Sequence, residues 1–347
     1  MRVAPTWVRR PLTIAVVVGL SVLLTLAPLL LLVAAVLSPL LPGRWRPLRL
    51  LAFLLVYLAL EVAALVTAFV LWYLSGFGWQ LRSPTYRAVH YAVLRRVLQT
   101  VVLAAEWLFR LEIRTDGLGW SPLDDGVPGS TNAMLVLCRH AGPGDSLLLV
   151  ETLMNRDHLR RPRIVLKDTL QLDPLVDVYL NRVPSAFLTA GRKDLAEQVA
   201  ALASDLGEED ALLIFPEGGN FTAGRRRKAI ASLRGKGMEE QAGKAEAMHH
   251  VLPPRPGGVL AALEAAPHAD VVFVAHTGLE HLSTPRDLWR GLPMDSSVLM
   301  RWDFVDAADV PRDPAAQRDW LFERWAEIDR WVAEHQPPAL RGGVRER

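Results

Sequence analysis

A chain of 347 residues with a formal net charge of +2 is long enough for one sizeable catalytic domain with a small appendage. The first sixty residues carry six arginines and no acid, which leaves 33 basic against 37 acidic residues in the remainder; a folded body without a basic excess excludes a nucleic-acid footprint, so no nucleic acid is expected as a partner. Cys138 is the single cysteine, which excludes an intramolecular disulfide and any cysteine-based zinc spacing.

In chain order, the first feature is a nearly uncharged apolar run from Leu12 to Leu41, interrupted by Pro28 and Pro39. A second run extends from Leu50 to Leu74 with Glu61 as its only charge. About 20 apolar residues cross a hydrocarbon core as a helix, and each run reaches that length. The first is too long for a signal-peptide core, and no small-residue cleavage site follows it. With the short basic connection Arg44–Arg49 between them, the runs predict a two-helix membrane hairpin over residues 1–80. Arg82, Arg87, Arg95 and Arg96 follow the second run and place the N-terminus and the body on the cytoplasmic side, at the cytoplasmic membrane if the source is bacterial. A hairpin dipping into one leaflet has the same sidedness. Glu61 has two readings, a functional intramembrane carboxylate or a protonated or pairing residue near the interface.

Residues 84–110 keep helical periodicity, with Val89, Val93, Val97 and Val101 on one stripe, and predict an amphipathic helix leading from the membrane to the body. Beyond it, strand candidates alternate with helix candidates. The strands are Leu111–Arg114, Met134–Leu137, Ile164–Leu166, Leu212–Phe215, Val271–Val274 and Val298–Phe304. The helices are Ser146–Asn155, Asp194–Leu206, Pro256–Ala265 and Ala315–Glu334. This alternation predicts an α/β domain over residues 81–335, a mixed sheet flanked by helices. Trp320, Trp325 and Trp331 on the last helix read as packing. Residues 223–248 are polar and read as a mobile loop, and residues 336–347 as a flexible tail.

The chemistry centres on Leu137-Cys138-Arg139-His140-Ala141-Gly142-Pro143-Gly144-Asp145. An apolar strand ends at His140, a Gly/Pro turn follows, and Asp145 stands where a helix should begin. Such a turn returns the Asp145 carboxylate to the imidazole, fixing the Nδ1 proton and leaving Nε2 to remove a hydroxyl proton. By itself this spacing is a weak signal. Three further segments accompany it. Phe215-Pro216-Glu217-Gly218 places a carboxylate at the end of another strand, where α/β ligand sites lie. Lys167 follows a strand and precedes Leu170 and Pro174, and Arg192 follows Phe187. Cys138 reads as a buried, inert thiol. The run Arg225-Arg226-Arg227-Lys228 reads either as a solvated loop or as a site for anionic headgroups or CoA phosphates. The histidines His249, His250, His276 and His281 lack the spacing of a metal site. Neither a Gly-x-Ser-x-Gly elbow nor a P-loop occurs in the sequence.

The ordered set resembles the lysophospholipid acyltransferases, the superfamily of 1-acylglycerol-3-phosphate O-acyltransferases. His140 and Asp145 match that family's His-x4-Asp dyad, Lys167 with Leu170 its Lys-x-x-Leu segment, and Phe215–Gly218 its Phe-Pro-Glu-Gly block. Phe187 and Arg192 are similar to its Phe-x-x-Arg element, with two more residues interposed. The resemblance implies acyl transfer from an acyl-CoA or acyl carrier protein thioester to the free hydroxyl of a lysophospholipid, with His140 as general base, Asp145 orienting it, and no cofactor or metal. It implies Lys167 and Arg192 as contacts of the acceptor phosphate, and Glu217 and Gly218 as binding glycerol hydroxyls or supporting the site. Expected partners are the lysophospholipid acceptor, the acyl thioester donor and the bilayer. Gly219-Asn220 stands where lysophosphatidic acid enzymes of the family often read Thr-Arg, and Val251–Gly258 is similar to the lysocardiolipin and lysophosphatidylglycerol branch. That departure predicts a lysophosphodiester acceptor. The alternatives are another lipid alcohol, such as a glycolipid, or a catalytically silent lipid-binding membrane protein.

Overall fold

The computed structural model describes residues 3–41, 43, 45–116, 132–142, 144–155, 160–188, 195–280, 282 and 284–337. The chain begins with helices α1 (Thr6–Leu20), α2 (Val22–Thr25), α3 (Ala27–Leu37), α4 (Arg46–Leu74) and α5 (Pro84–Phe109). Strands β1 (Leu111–Asp116) and β2 (Met134–Cys138), helix α6 (Asp145–Met154) and strand β3 (Arg161–Lys167) follow. Next come α7 (Pro174–Leu180), β4 (Ser185–Leu188), α8 (Leu195–Ala203), β5 (Asp210–Ile214), α9 (Ala223–Gly235) and α10 (Glu239–Ala247). The chain closes with α11 (Pro256–Ala265), β6 (Asp270–Thr277), α12 (Pro285–Gly291), β7 (Ser296–Val305) and α13 (Pro314–His335). Among the described residues, seven strands of mixed direction with helices packed on them give the expected α/β class.

Contacts divide the chain into two units. The first comprises Met1–Glu112, Arg163–Arg192 and Leu288–Ser296. Two of its helical stretches, Thr6–Thr25 and Arg46–Leu74, are long and apolar enough to cross a membrane. The first apolar run is not one continuous helix: it breaks at Ser21 and Leu26, and α3 restarts with a proline in its first turn, where a missing N–H costs nothing. Helix α4 is anchored by polar contacts from α7. Glu61 is buried, and its Oε1 accepts the Leu175 N–H at 2.9 Å, satisfying one of the orphan donors at the start of α7. Further along, Ala64 and Ala68 let α7 approach closely, and their carbonyls accept from Tyr179 Oη at 2.8 Å and Arg182 Nη1 at 2.9 Å. Tyr57 donates to Asp173. Asp177, fully buried, takes Arg9 at 2.7 Å and Arg10 at 2.9 Å. A β3–β4 parallel pair, Ile164 opposite Ser185 through Lys167 opposite Leu188, completes this unit.

The second unit comprises Ile113–Pro162, Lys193–Asp287 and Ser297–Arg347. Its strands run in the order β1-β7-β6-β2-β5. β2 pairs in parallel with β5 (Met134 opposite Ala211) and with β6 (Met134 opposite Asp270), while β7 runs antiparallel to β6. All five β2 residues have no solvent exposure, which is why the segment reads as a continuous apolar run: a parallel strand covered on both faces buries every side chain, each contributing about 1.5–3 kcal/mol for a Leu- or Val-sized group. Helix α11 packs on α8, and α13 lies on β6 with Trp320 edge-on to Phe273 at 5.2 Å. Trp325 and Trp331 are buried.

Residues 223–248 are not a loop but form α9 and α10. The Thr222 side chain caps α9 by accepting the Arg225 N–H, and Lys244 pairs with Glu240 one turn away. Those two devices overcome the polar composition that pointed to a loop.

Candidate active site

Three parallel strands end side by side at the centre of the second unit. Because β5, β2 and β6 run the same way, their carboxyl ends gather the residues that follow each of them. The chain after β2 supplies His140, the chain after β5 supplies Glu217, and the end of β6 supplies His276.

Asp145 opens α6, preceded by Gly144 with φ +97°, a left-handed conformation that a side chain disfavours. Its carboxylate turns back over the loop it closes. Asp145 Oδ2 lies 2.8 Å from His140 Nδ1 and also accepts the N–H groups of Ala141 (2.9 Å) and Gly142 (3.2 Å), while Oδ1 accepts that of Ser146 at 2.6 Å. Burial alone would raise the Asp145 pKa. The His140 hydrogen bond, the charges of His276 and His140, and the Gly142 N–H outweigh it, and the net shift is downward. A carboxylate so held stays ionised and fixes the proton on Nδ1 of the imidazole. His140 is half-buried, with its ring beside Phe215 at 4.9 Å between centroids. The pair combines a buried, fully bonded carboxylate with a ring whose second nitrogen is available to a hydroxyl.

The backbone around His140 is held as tightly. Its N–H donates to Glu217 Oε1 at 3.1 Å, and its carbonyl accepts the Phe221 N–H at 3.2 Å. Glu217 is 1% exposed, and its other oxygen accepts the Leu252 N–H at 3.0 Å. Burial pushes its pKa up to about 7, against the opposing pull of Arg139 and the two backbone donors. Asp329 on α13 accepts the N–H groups of His250 (2.6 Å) and Val251 (3.1 Å), fixing the segment that leads to Leu252. Gly218, at φ +67°, makes the turn that follows Glu217.

Behind the dyad, the buried Arg139 guanidinium binds Glu280 at 2.8 Å and the carbonyls of His276 and His250. Burial alone would raise the Glu280 carboxyl, but Arg139 and local backbone N–H groups bring it down to about 2. His276 is buried. Its Nε2 lies 3.2 Å from the Arg139 carbonyl and 3.9 Å from Asp145 Oδ2, and Nδ1 has no partner among the described residues. Burial and the neighbouring Arg139 charge lower its pKa, which disfavours the charged ring. Cys138 is fully buried, and burial drives its thiol pKa well up, consistent with an inert side chain.

Four of the six residues singled out in sequence therefore converge: His140, Asp145, Glu217 and Gly218. Lys167 ends β3 in the first unit and is exposed. Arg192 lies outside the described residues, as does His281. The support from Arg139, His276, Glu280 and Asp329 was not foreseen. Arg139 reads as an ordinary strand-end residue, and the others are distant in sequence with no motif to join them.

A family model described as Acyltransferase matches residues 125–276, a span that contains both members of the dyad and Glu217. The mouse (Mus musculus) protein 1-acyl-sn-glycerol-3-phosphate acyltransferase epsilon is 26% identical over 220 residues, covering 60% of this chain and 59% of the relative. The chain thus matches little more than half of that relative's length. Among solved structures, the crystal structure of the 1-acyl-sn-glycerophosphate (LPA) acyltransferase PlsC from Thermotoga maritima superposes with a TM-score of 0.50 at 16% identity, covering 86% of this chain and all of that one. At that identity the likeness speaks to the fold.

Proposed function

We propose that this protein, whose residues 125–276 match the family model described as Acyltransferase, is an enzyme of the 1-acylglycerol-3-phosphate acyltransferase superfamily that transfers an acyl group from an acyl-CoA or acyl carrier protein thioester to the free hydroxyl of a lysophospholipid. The observation that carries this reading is the His140 Nδ1–Asp145 Oδ2 contact of 2.8 Å, with the carboxylate buried and the His140 side chain 19% exposed. With Nδ1 holding its proton toward Asp145, Nε2 takes the proton of the acceptor hydroxyl. The hydroxyl oxygen forms a bond to the thioester carbonyl carbon. The tetrahedral adduct then collapses, breaking the carbon–sulfur bond, and the departing thiolate receives the proton from the imidazolium. Asp145 remains a carboxylate throughout and stabilises the imidazolium as it forms.

Glu217 acts in this scheme by supporting the site, since its two oxygens accept backbone N–H groups of His140 and Leu252. Lys167 and Arg192 are proposed as phosphate contacts on the strength of the family resemblance. The apolar helices of the first unit support membrane association, and the arginines Arg82, Arg87, Arg95 and Arg96 after the second run are the ground for proposing a cytoplasmic catalytic domain.

The test is a transfer assay on membranes carrying the protein, with labelled acyl-CoA and a panel of lysolipids. Turnover in the wild type that disappears in His140→Ala, at equal protein level, is expected. Equal turnover in both would overturn the mechanism, and no turnover on any acceptor would favour the silent lipid-binding alternative.

A further inference from the structure

Arg139 is the residue before His140, and its guanidinium is buried at the carboxyl end of the parallel strands. An arginine stays protonated in a protein, so a permanent charge sits behind the dyad and has to be matched. Nη1 donates to Glu280 Oε1 at 2.8 Å and to the His276 carbonyl at 2.5 Å, and Nη2 donates to the His250 carbonyl at 3.2 Å. Glu280 is held in turn, its Oε2 accepting the Gly278 N–H at 2.8 Å. The turn that carries Glu280 also lies against the turn that carries the dyad: a methyl group placed on Gly142 would sit 3.1 Å from the Leu279 carbonyl oxygen.

Arg139 and His276 are paired twice. The guanidinium takes the His276 carbonyl, and His276 Nε2 lies 3.2 Å from the Arg139 carbonyl. A carbonyl only accepts, so this hydrogen bond places a proton on Nε2. Nε2 is also 3.9 Å from Asp145 Oδ2, the oxygen that lies 2.8 Å from His140 Nδ1. Two imidazoles therefore stand around one carboxylate. An imidazolium at His276 would draw on Asp145 and oppose formation of the His140 imidazolium, since like charges repel.

The groups packed around His276 decide its charge. Burial opposes protonation most, followed by Arg139 at the end of β2; Asp145 on α6 and Glu280 on the following turn favour it, and the net shift is downward. β7 places the uncharged Met300 opposite His276. β2 places Cys138 opposite Val274, and the Cys138 thiol donates to the Arg139 carbonyl at 3.2 Å. Glu217, after β5, interacts with the Arg139 charge.

We infer that Arg139 is a positioning residue for the dyad: locked to Glu280, its guanidinium keeps the His276 ring an uncharged donor to the Arg139 carbonyl and so reserves Asp145 for His140. The inference rests on the acyl-transfer reading for its effect on rate, and stands apart from it for the charge of His276. Two substitutions separate the charge of Arg139 from its geometry. A lysine keeps the charge but loses the rigid fork that reaches three acceptors, whereas a glutamine loses the charge.

The experiment uses the full chain in lipid bicelles and follows kcat against pH. It compares the wild type with Arg139→Lys, Arg139→Gln, and Arg139→Gln combined with His276→Gln. Arg139→Gln is expected to raise the acid limb of the profile by about one pH unit or more. Arg139→Lys is expected to lower kcat roughly tenfold and to leave the limb at its wild-type position. Adding His276→Gln to Arg139→Gln should return the limb to that position. A limb that stays in place in Arg139→Gln overturns the inference. So does a shift that persists without His276, because it would belong to His140 itself. A residue that only held the fold would lower kcat by one factor at every pH.

Cys138, the single cysteine and fully buried, reports whether the strand end stays closed, and its thiol should remain shielded from thiol reagents in each variant. Should Arg139→Gln expose it, Glu280→Gln decides. That change keeps Arg139 and removes a charge that favours protonation of His276, so the limb stays or falls, and a rise overturns the inference. A second arm needs no turnover. The carbon-13 signal of His276 Cε1, assigned by its absence from His276→Gln, should titrate at higher pH in Arg139→Gln than in the wild type. Equal titration overturns the inference. Absence of wild-type turnover on every acceptor would sink the acyl-transfer reading, and the titration would still decide the role of Arg139.

Discussion

Glu217 holds the backbone of the residue whose side chain Asp145 holds: its Oε1 accepts the His140 N–H at 3.1 Å, and its Oε2 accepts the Leu252 N–H at 3.0 Å. A glutamine in its place offers one acceptor and turns an NH2 toward the other backbone donor. Glu217→Gln is therefore expected to lower kcat by roughly 10- to 100-fold through a displaced His140, with the acceptor KM little changed. A direct contact to glycerol hydroxyls would instead raise KM. The pH dependence has a definite sign. The folded pKa of about 7 lies above the ordinary value of 4.5, so the folded state favours the protonated form. That contribution to stability is complete below about 4.5 and is lost as pH rises through about 7. The gap in unfolding midpoint between the wild type and Glu217→Gln should narrow across that window.

Asp145 has the opposite linkage. Its folded pKa lies below the ordinary 3.8, so its contribution is complete above that value and is lost as pH falls through the lower folded one. Asp145→Asn should flatten this acid-side loss in a melting series. It should also cut kcat by about 10²–10⁴-fold, since an amide does not stabilise the imidazolium and favours the wrong tautomer. Wild-type turnover in Asp145→Asn would remove the dyad from the mechanism.

What could be read in advance follows from how locally each feature is specified. The dyad was legible because a five-residue turn carries it: β2 ends, Gly144 permits the left-handed turn, and Asp145 starts a helix. β2, β5 and β6 were legible because burial on both faces makes an apolar run of β2 and of the middles of β5 and β6, with polar residues only at the ends of those two strands. The seven-residue α7 was missed, being too short to show a period and beginning at a proline. Residues 223–248 were misread because composition pointed to a loop while one capping threonine decided for a helix.

In the first unit, Asp177 is fully buried between Arg9 and Arg10. Removing it leaves Arg9, itself buried, without its counter-charge, and breaking a buried pair from one side costs about 3–5 kcal/mol. Asp177→Ala should lower the melting temperature in detergent by several degrees and expose α1 to proteolysis near Arg9. An unchanged melt and cleavage pattern would mean that α1 is held by its apolar face alone.

Among the described residues, the buried His276 ring has one hydrogen-bond partner. The neutral ring has to carry its proton on Nε2 to donate to the Arg139 carbonyl at 3.2 Å, which leaves Nδ1 without a donor among the described residues. That carbonyl belongs to the peptide joining Arg139 to His140, so the imidazole fixes the plane from which the His140 ring projects. The same ring lies 3.9 Å from Asp145 Oδ2. His276→Ala removes the donor and opens a cavity behind the dyad. The Arg139 carbonyl then keeps only the weaker Cys138 thiol donor at 3.2 Å; losing the stronger one costs about 1 kcal/mol, and kcat should fall with both KM values nearly unchanged. His276→Gln keeps an N–H at similar reach and is expected to recover most of the lost rate and part of the stability. The decisive comparison is between the two variants in one preparation, with melting and steady-state rates measured together. If Gln is as slow as Ala while melting near the wild type, the hydrogen bond to Arg139 is not what positions His140.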